Sequence, residues 1–542
     1  MASAGTILAC TAVVGVTALA AALRFWGIRW GLPDALHKFT FHPDEVFQVG
    51  AILQLNPFRL DLDPGFYNYP SFYMNLGAAV LRIGEAYGFR VDDSLTGAYL
   101  VARLVTAAFG ILTVPLVYLA ARKLYGTGAG LLAACILAIT PLHVVHSHFA
   151  TVDVPAALWV AAALLGASTL LSRPALKVYL LAGAAAGFAA GTKYNAALVL
   201  LPIITSHFLR ESGDGWRSRL RDGRLWASVG AFVVSFFAAT PGVLIWPGRF
   251  VGKFLYELQH AASGHGLLFV GRGPGWFDVL ANSLGYGQGV FLLVLSAGAV
   301  ALAVARHKRS DFVLLSFLVP YYLLISFSSV RFARYAIPML IPLSILAGRM
   351  IAELYAVVKD HRATATRLVW VAVSAGIIGY TGVYALAFDR LFSQPDPRTE
   401  AALWFRANVP RGARIGLPTI PWFYSPPLAP GIIGTVGPKN RYDLMSESPY
   451  RLMSNPRLPW DSDLITRGRP DYVVISDYEY EDLRRLHDRG VETFLRKLGR
   501  SYVEAAVFRN GLSALGIDFG PTEKLPHDLK YMAPTIRVFR RR

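Results

Sequence analysis

The stretch YPSFYMNLGAAVLRIGEAYG, residues 69–88, decides how the chain is threaded. It is as long as a membrane span, for which about 17–25 apolar residues suffice, yet it carries Arg82 and Glu85 and is flanked by turn-forming or polar residues. Less ambiguous apolar stretches recur near 5–26, 98–121, 128–146, 154–171, 176–191, 195–209, 227–246, 287–305, 311–328, 335–357 and 367–388. They amount to about eleven spans of the length a bilayer requires, and whether 69–88 is a twelfth sets the sidedness of everything after it. Lys and Arg concentrate in short cytoplasmic loops. If 69–88 lies along the surface, one side collects Arg122, Lys123, Arg173, Lys177, Arg210, Arg217, Arg219, Arg221, Arg224, Arg306, Lys308, Arg309, Lys359, Arg362 and Arg367. The short loops of the other side then hold Lys193, Arg331 and Arg334, and none between the third and fourth spans. That asymmetry reads 69–88 as an amphipathic interfacial helix. Against it, the N-terminus has no basic residue while Arg24, Arg29 and Lys38 follow the first span.

Composition agrees with a polytopic α-helical membrane protein. Of 542 residues, 54% are hydrophobic and 16% charged, against about 25% charged in soluble domains, and mean hydropathy is +0.42. The net charge of +18 does not indicate nucleic acid, because the basic residues sit in short loops between apolar segments and not on one soluble face. Cys10 and Cys135 lie inside apolar segments with no paired Cys/His spacing, which leaves neither a disulfide framework nor a zinc site. Residues 5–23 are apolar without a basic leader or a small-x-small cleavage site and read as an uncleaved first span. An odd number of spans places residues 390–542 outside, which in a bacterium is the periplasmic side of the inner membrane. The chain therefore divides into a transmembrane domain, 1–389, with a first outer loop at about 30–97, and a small C-terminal α/β domain, 390–542. In the latter, 396–409 reads as an amphipathic helix, and 414–417, 471–476 and 535–539 as strands.

Four polar clusters fall on the outer face of this threading. They are Asp44-Glu45, in a loop that also holds Tyr67 and Tyr69; His146-Ser147-His148 through Asp153; Lys193-Tyr194; and Arg331 to Arg334. A carboxylate beside separated cations suits transfer of a group from a phosphate to a hydroxyl. The hydroxyl needs a base in the transition state, and the departing phosphate needs fixed positive charge. Asp44 is the candidate base, and Lys193, Arg331 and Arg334 are candidate phosphate cations. Local sequence also allows Asp44 and Asp153 to be helix caps, Arg331 and Arg334 to snorkel, and Tyr67 and Tyr69 to belong to an aromatic belt. His146 and His148, two apart, do not share a helical face, and no metal site follows from them.

Taken in order, the acidic pair, Tyr67-Asn68-Tyr69-Pro70, Phe149-Ala150-Thr151-Val152-Asp153, Gly191-Thr192-Lys193-Tyr194-Asn195 and Arg331-Phe332-Ala333-Arg334-Tyr335 resemble the membrane-embedded glycosyltransferases of the C superfamily. The nearest branch is that of the bacterial relatives of protein O-mannosyltransferases and the lipid A aminoarabinose transferase (family 39-like). The resemblance implies a sugar donor linked to polyprenyl phosphate, inversion at the anomeric carbon, and a lipid, glycan or protein acceptor on the outer face. It implies Asp44 as base with Glu45 helping to shape the acceptor site. Lys193, with Arg331 or Arg334, would serve the lipid phosphate, and Asp153 is the acidic turn. His146, His148, Tyr67, Tyr69 and Tyr194 are further candidate substrate contacts. Metal dependence varies across the superfamily; a divalent metal is compatible with the sequence and not required by it. The trefoil sugar-binding insertions of the eukaryotic mannosyltransferases and the Glu-Lys-Pro-Pro segment of the aminoarabinose branch are missing. The rival classes are a secondary transporter of a small polar or anionic solute, against which stands the lack of matched halves, and a non-catalytic scaffold, which leaves the carboxylate pair unexplained.

Overall fold

The computed structural model describes residues 4–91, 95–211, 215–360, 364–429 and 445–542; Arg362 and the Lys359 side chain, both counted above among the basic loops, lie outside the described set. Six described helices are long and apolar enough to cross a membrane: Gly5–Phe25, Thr96–Tyr125, Asp153–Leu170, Arg309–Phe327, Ala333–Val357 and Ala365–Leu391. A seventh candidate is the pair Gly275–Gln288 and Val290–Arg306, bent by 120° at Gly289, whose φ of +81° suits glycine. Four shorter apolar helices, Thr127–Ala138, Leu176–Thr192, Tyr194–Leu209 and Gly223–Ala239, complete the apolar set.

The stretch expected to span 128–146 is divided instead into helices Thr127–Ala138 and Pro141–His146. Thr140 is extended, and Pro141 opens the second piece, where a missing N–H costs nothing. The ambiguous 69–88 stretch contains the 15-residue helix Phe72–Ala86, about 22 Å long at 1.5 Å per residue. It packs on the Glu45–Gln54 helix. Arg82 donates to the carbonyls of Leu53 (2.7 Å) and Leu55 (3.2 Å) and pairs with Glu85 at 2.8 Å, so both charges are used between these two helices.

Small residues hold the helix layer together. Gly183 and Gly187 lie four apart on the Leu176–Thr192 helix, and a Cβ on either would come within 2.1 Å of the Ser228 carbonyl oxygen or 2.3 Å of that of Phe232. Such spacing lets two helix backbones approach closely, here Leu176–Thr192 and Gly223–Ala239. The Asp153–Leu170 helix packs against the same element, Gly166 meeting Ala182. Antiparallel packing places Asp153, at the start of one helix, beside Lys193, at the end of the other. At the opposite ends of the layer Tyr125 donates to Asp311 at 2.5 Å, and Arg349 pairs with both Asp311 and Glu353. Arg210 pairs with Asp222 at 2.7 Å at that end as well.

Beyond Pro397–Asn408, a helix capped by the Asp396 side chain, the chain forms a C-terminal sheet region. Its strands are β1 (Arg414–Gly416), β2 (Arg451–Met453), β3 (Tyr472–Ser476), β4 (Tyr502–Phe508), β5 (Ser513–Ala514), β6 (Ile517–Asp518) and β7 (Ile536–Arg541). The main sheet runs β2-β1-β3-β7-β4, with β5 and β6 as a separate hairpin. β1 is parallel to β2 and β3, and β7 is antiparallel to β3 and β4. Val474 of β3 and Ile536 and Val538 of β7 pack on Phe405 and Ala401 of the 397–408 helix.

Candidate active site

Phe41-His42-Pro43-Asp44 turns into the Glu45–Gln54 helix, and Asp44 occupies the N-cap position without making a side-chain cap bond. Its carboxylate faces Arg334 instead, Oδ2 lying 2.8 Å from Nη2. Asp153 is the first residue of its helix, one past the N-cap Val152; it accepts from Lys193 Nζ at 2.5 Å and lies 3.9 Å from Arg334 Nε. A third carboxylate, Asp528 of the C-terminal region, stands 3.5 Å from Arg334 Nη1. One guanidinium is therefore shared by three carboxylates. The Asp44 side chain is 28% exposed, while those of Asp153, Arg334 and Asp528 are at most 4% exposed, so Asp44 is the carboxylate that a solute can reach. Burial pushes its pKa above the usual carboxylate value, with Arg334 opposing and Asp153 adding to the rise.

Lys193 Nζ lies 4.3 Å from the centre of the Tyr335 ring, and both residues line a cavity of about 770 Å³. The rest of that lining is mostly apolar: Phe232, Phe236, Phe250, Phe254, Leu324 and Phe327 among others, with Tyr69, Tyr194, Asn68 and Glu257. Glu257 accepts from Asn68, and burial raises its pKa. The arrangement is a mostly apolar cleft with a buried ammonium in its lining, and Asp153 joins that ammonium to the Arg334 guanidinium that holds Asp44. Phe250, Phe254, Glu257, Leu258 and Ala261 come from the helix Pro247–Ser263, which the sequence reading passed over although its i, i+4, i+7/8, i+11 spacing marks one face.

His146 is fully buried, neither ring nitrogen is hydrogen-bonded, and Nε2 is 3.7 Å from Asp528. Tyr194 donates to the Tyr67 carbonyl at 2.9 Å. The other candidates sit apart from this cluster. The Tyr67 hydroxyl goes to Asp63 at 3.1 Å. His148 places Nδ1 3.0 Å from the Val144 carbonyl and Nε2 2.8 Å from that of Trp26, stacking on Phe392. Arg331 pairs with Asp278 at 2.8 Å. Glu45 turns inward: Oε1 accepts from Arg103 Nε (2.7 Å) and Ala150 N (2.8 Å), and Oε2 from Arg103 Nη2 (2.7 Å) and Thr40 (2.5 Å). All its acceptor directions are filled within the protein. Glu45→Gln would leave Arg103 buried and half-paired, a change that typically costs about 3–5 kcal/mol; the expected result is a clear fall in melting temperature in detergent. Among the described residues no group of three or more His, Cys, Asp or Glu could hold a metal ion; Arg334 stands where the carboxylates converge.

The sequence reading missed Asp528, and Tyr335 entered it only as the last residue of the Arg331–Tyr335 motif. Asp528 lies 194 residues from Arg334, and nothing in its local sequence marks it.

The family described as dolichyl-phosphate-mannose-protein mannosyltransferase matches residues 95–246, which include Asp153 and Lys193 but neither Asp44 nor Arg334. The oligosaccharyltransferase of Archaeoglobus fulgidus in its apo form superposes with a TM-score of 0.52 at 14% identity, covering 97% of this chain and 77% of that one. The same archaeal enzyme, AglB, in complex with an inhibitory peptide and a dolichol-phosphate, gives 0.52 at 13% identity, with 97% and 77% covered. ArnT from Cupriavidus metallidurans bound to undecaprenyl phosphate gives 0.49 at 16% identity, with 97% of each chain covered. No curated protein matches the sequence. By family sequence over residues 95–246 and by fold over nearly the whole chain, the protein resembles the membrane-embedded C-superfamily glycosyltransferases.

Proposed function

We propose that the protein transfers a sugar from a polyprenyl-phosphate-linked donor to a hydroxyl or phosphate acceptor, with inversion, on the periplasmic face of a bacterial inner membrane. In that reading the four shorter apolar helices and the bent pair also cross, giving eleven crossings with the six long helices. The helix Phe72–Ala86 lies along the surface, residues 1–389 form the membrane domain, and 390–542 form an outer domain. The observation that carries the reading is the reachable Asp44 carboxylate held by buried Arg334, which Asp153 links to Lys193 in the lining of an apolar cleft. A polyprenyl chain suits the Phe-lined cleft, and AglB, of like fold, has been solved with a dolichol-phosphate.

The steps follow from the charges. The donor phosphate binds Lys193 and competes for the Arg334 guanidinium, which loosens its hold on Asp44 and makes that carboxylate a stronger base. Asp44 takes the proton of the acceptor hydroxyl as its oxygen attacks the anomeric carbon from the side opposite the phosphate. The sugar–phosphate bond breaks, and polyprenyl phosphate leaves with its charge held by Lys193 and Arg334. Glu45 and Arg103 fix the loop beneath.

Two outcomes are expected. Because a base must be unprotonated, activity is lost as pH falls through the pKa of Asp44. Burial raises that pKa, so the acid limb of kcat/KM lies above the usual carboxylate value, and a pH profile showing no acid limb would contradict the assignment. Lys193→Met removes a point charge from the cleft and is expected to weaken undecaprenyl phosphate binding by about tenfold or more, a charged hydrogen bond contributing ~1.5–3 kcal/mol. Isothermal titration in detergent reads it, and unchanged affinity would sink the phosphate role. The 120° break at Gly289 favours a transporter, since transporters place sites at broken helices; the charges of this cluster gather at helix ends instead.

A further inference from the structure

The C-terminal sheet region sends one short segment, Pro526-His527-Asp528-Leu529-Lys530-Tyr531, into the charged cluster of the helical layer. Asp528 is 1% exposed. Its Oδ1 accepts from the backbone N–H of Ala333 (3.1 Å), and its Oδ2 from that of Arg334 (2.8 Å), while the Arg334 guanidinium reaches back to Oδ2 at 3.5 Å. The same side chain thus grips Arg334 at both ends. The segment is fixed from its own side as well: Tyr478 donates to the His527 carbonyl at 2.7 Å, Arg398 to the Tyr531 carbonyl at 2.7 Å, and Lys530 to Glu481 at 2.5 Å. Tyr531 then meets His42, two residues before Asp44, with ring centres 4.7 Å apart.

A guanidinium shared by three carboxylates is oriented by their balance. Asp44 is the most exposed of the three, whereas Asp528 is anchored to the main chain of Arg334 itself. Without Asp528, Arg334 has less to draw it away from Asp44. The closer pairing would weaken Asp44 as a base and turn the cation from the leaving phosphate. We propose that Asp528 is a positioning residue for Arg334, so that the C-terminal region is a working part of the sugar-phosphate site. This inference rests on the sugar-transfer reading above.

The test is a double-mutant cycle on turnover in the full-length protein, using a polyprenyl-phosphate-linked sugar and an acceptor-containing membrane extract. Asp528→Asn should lower kcat by ~10- to 100-fold, the range that misplacing a catalytic group produces, beyond any rise in donor KM that the displaced guanidinium brings. In the Arg334→Gln background the same change should cost less than about twofold, because the residue it positions is gone and coupled sites are not additive. Equal losses in both backgrounds, or a loss confined to KM, would overturn the inference while leaving sugar transfer intact. A wild-type protein that transfers no sugar would overturn the functional reading, and the inference with it. Should Asp528→Asn fail to fold, Asp528→Glu takes its place in the cycle, since it keeps the charge and displaces it by one methylene.

Discussion

Arg334→Gln should give the largest combined effect of any single substitution in this protein. It removes the one cation shared by Asp44, Asp153 and Asp528, and breaking a buried ion pair by deleting one partner typically costs about 3–5 kcal/mol. Melting in detergent should therefore fall well below wild type, and the deficit should shrink as pH is lowered, because protons can then neutralise the carboxylates that lost their cation. Affinity for undecaprenyl phosphate should fall as well, since in the proposed mechanism the guanidinium and the Lys193 ammonium share the phosphate charge. A variant with wild-type melting and wild-type lipid affinity would show that Arg334 neither organises the carboxylates nor meets the phosphate.

Asp44→Asn separates chemistry from architecture. The carboxamide oxygen can still accept from Arg334, and the site is partly open to solvent, so folding and lipid affinity should stay near wild type. Turnover should nevertheless fall by ~10²–10⁴-fold, the usual contribution of a general base. Retention of more than about a tenth of wild-type turnover, on that same scale, would remove Asp44 from the mechanism. Glu45→Gln is the informative contrast, because it should damage stability first. Two adjacent carboxylates are thereby expected to fail in different assays, one in rate and one in melting.

Why the two differ was not legible in the sequence. Asp44 and Glu45 stand side by side there, and only the fold reveals that Glu45 faces Arg103, 58 residues away, while Asp44 faces Arg334. Hydropathy alone was enough to place the long apolar helices, because a span must satisfy its own backbone and so declares itself by length. It was not enough to find the interruption before Pro141 or the 120° bend at Gly289. The first break falls inside the 128–146 stretch and the second at the edge of the 287–305 stretch, and the proline and glycine were the available signals. The pairing of Asp153 with Lys193 could be inferred only as shared sidedness; its 2.5 Å contact comes from the antiparallel packing of the Asp153–Leu170 and Leu176–Thr192 helices, which approach closely where Gly166 meets Ala182. Likewise the ambiguous 69–88 stretch had charges whose purpose was invisible until Arg82 was seen closing the end of the Glu45–Gln54 helix. Asp528 illustrates the limit most sharply, being one acidic residue in a polar tail that no local pattern distinguishes from its neighbours.

The measurement that bears most directly on the whole account is mass spectrometry of the lipid products after purified wild-type protein is incubated with a polyprenyl-phosphate-linked sugar and a membrane extract. The account predicts that free polyprenyl phosphate accumulates in step with a new sugar-bearing product. A donor that remains intact, alongside uptake of a small anionic solute by vesicles containing the protein, would contradict it and favour a transporter.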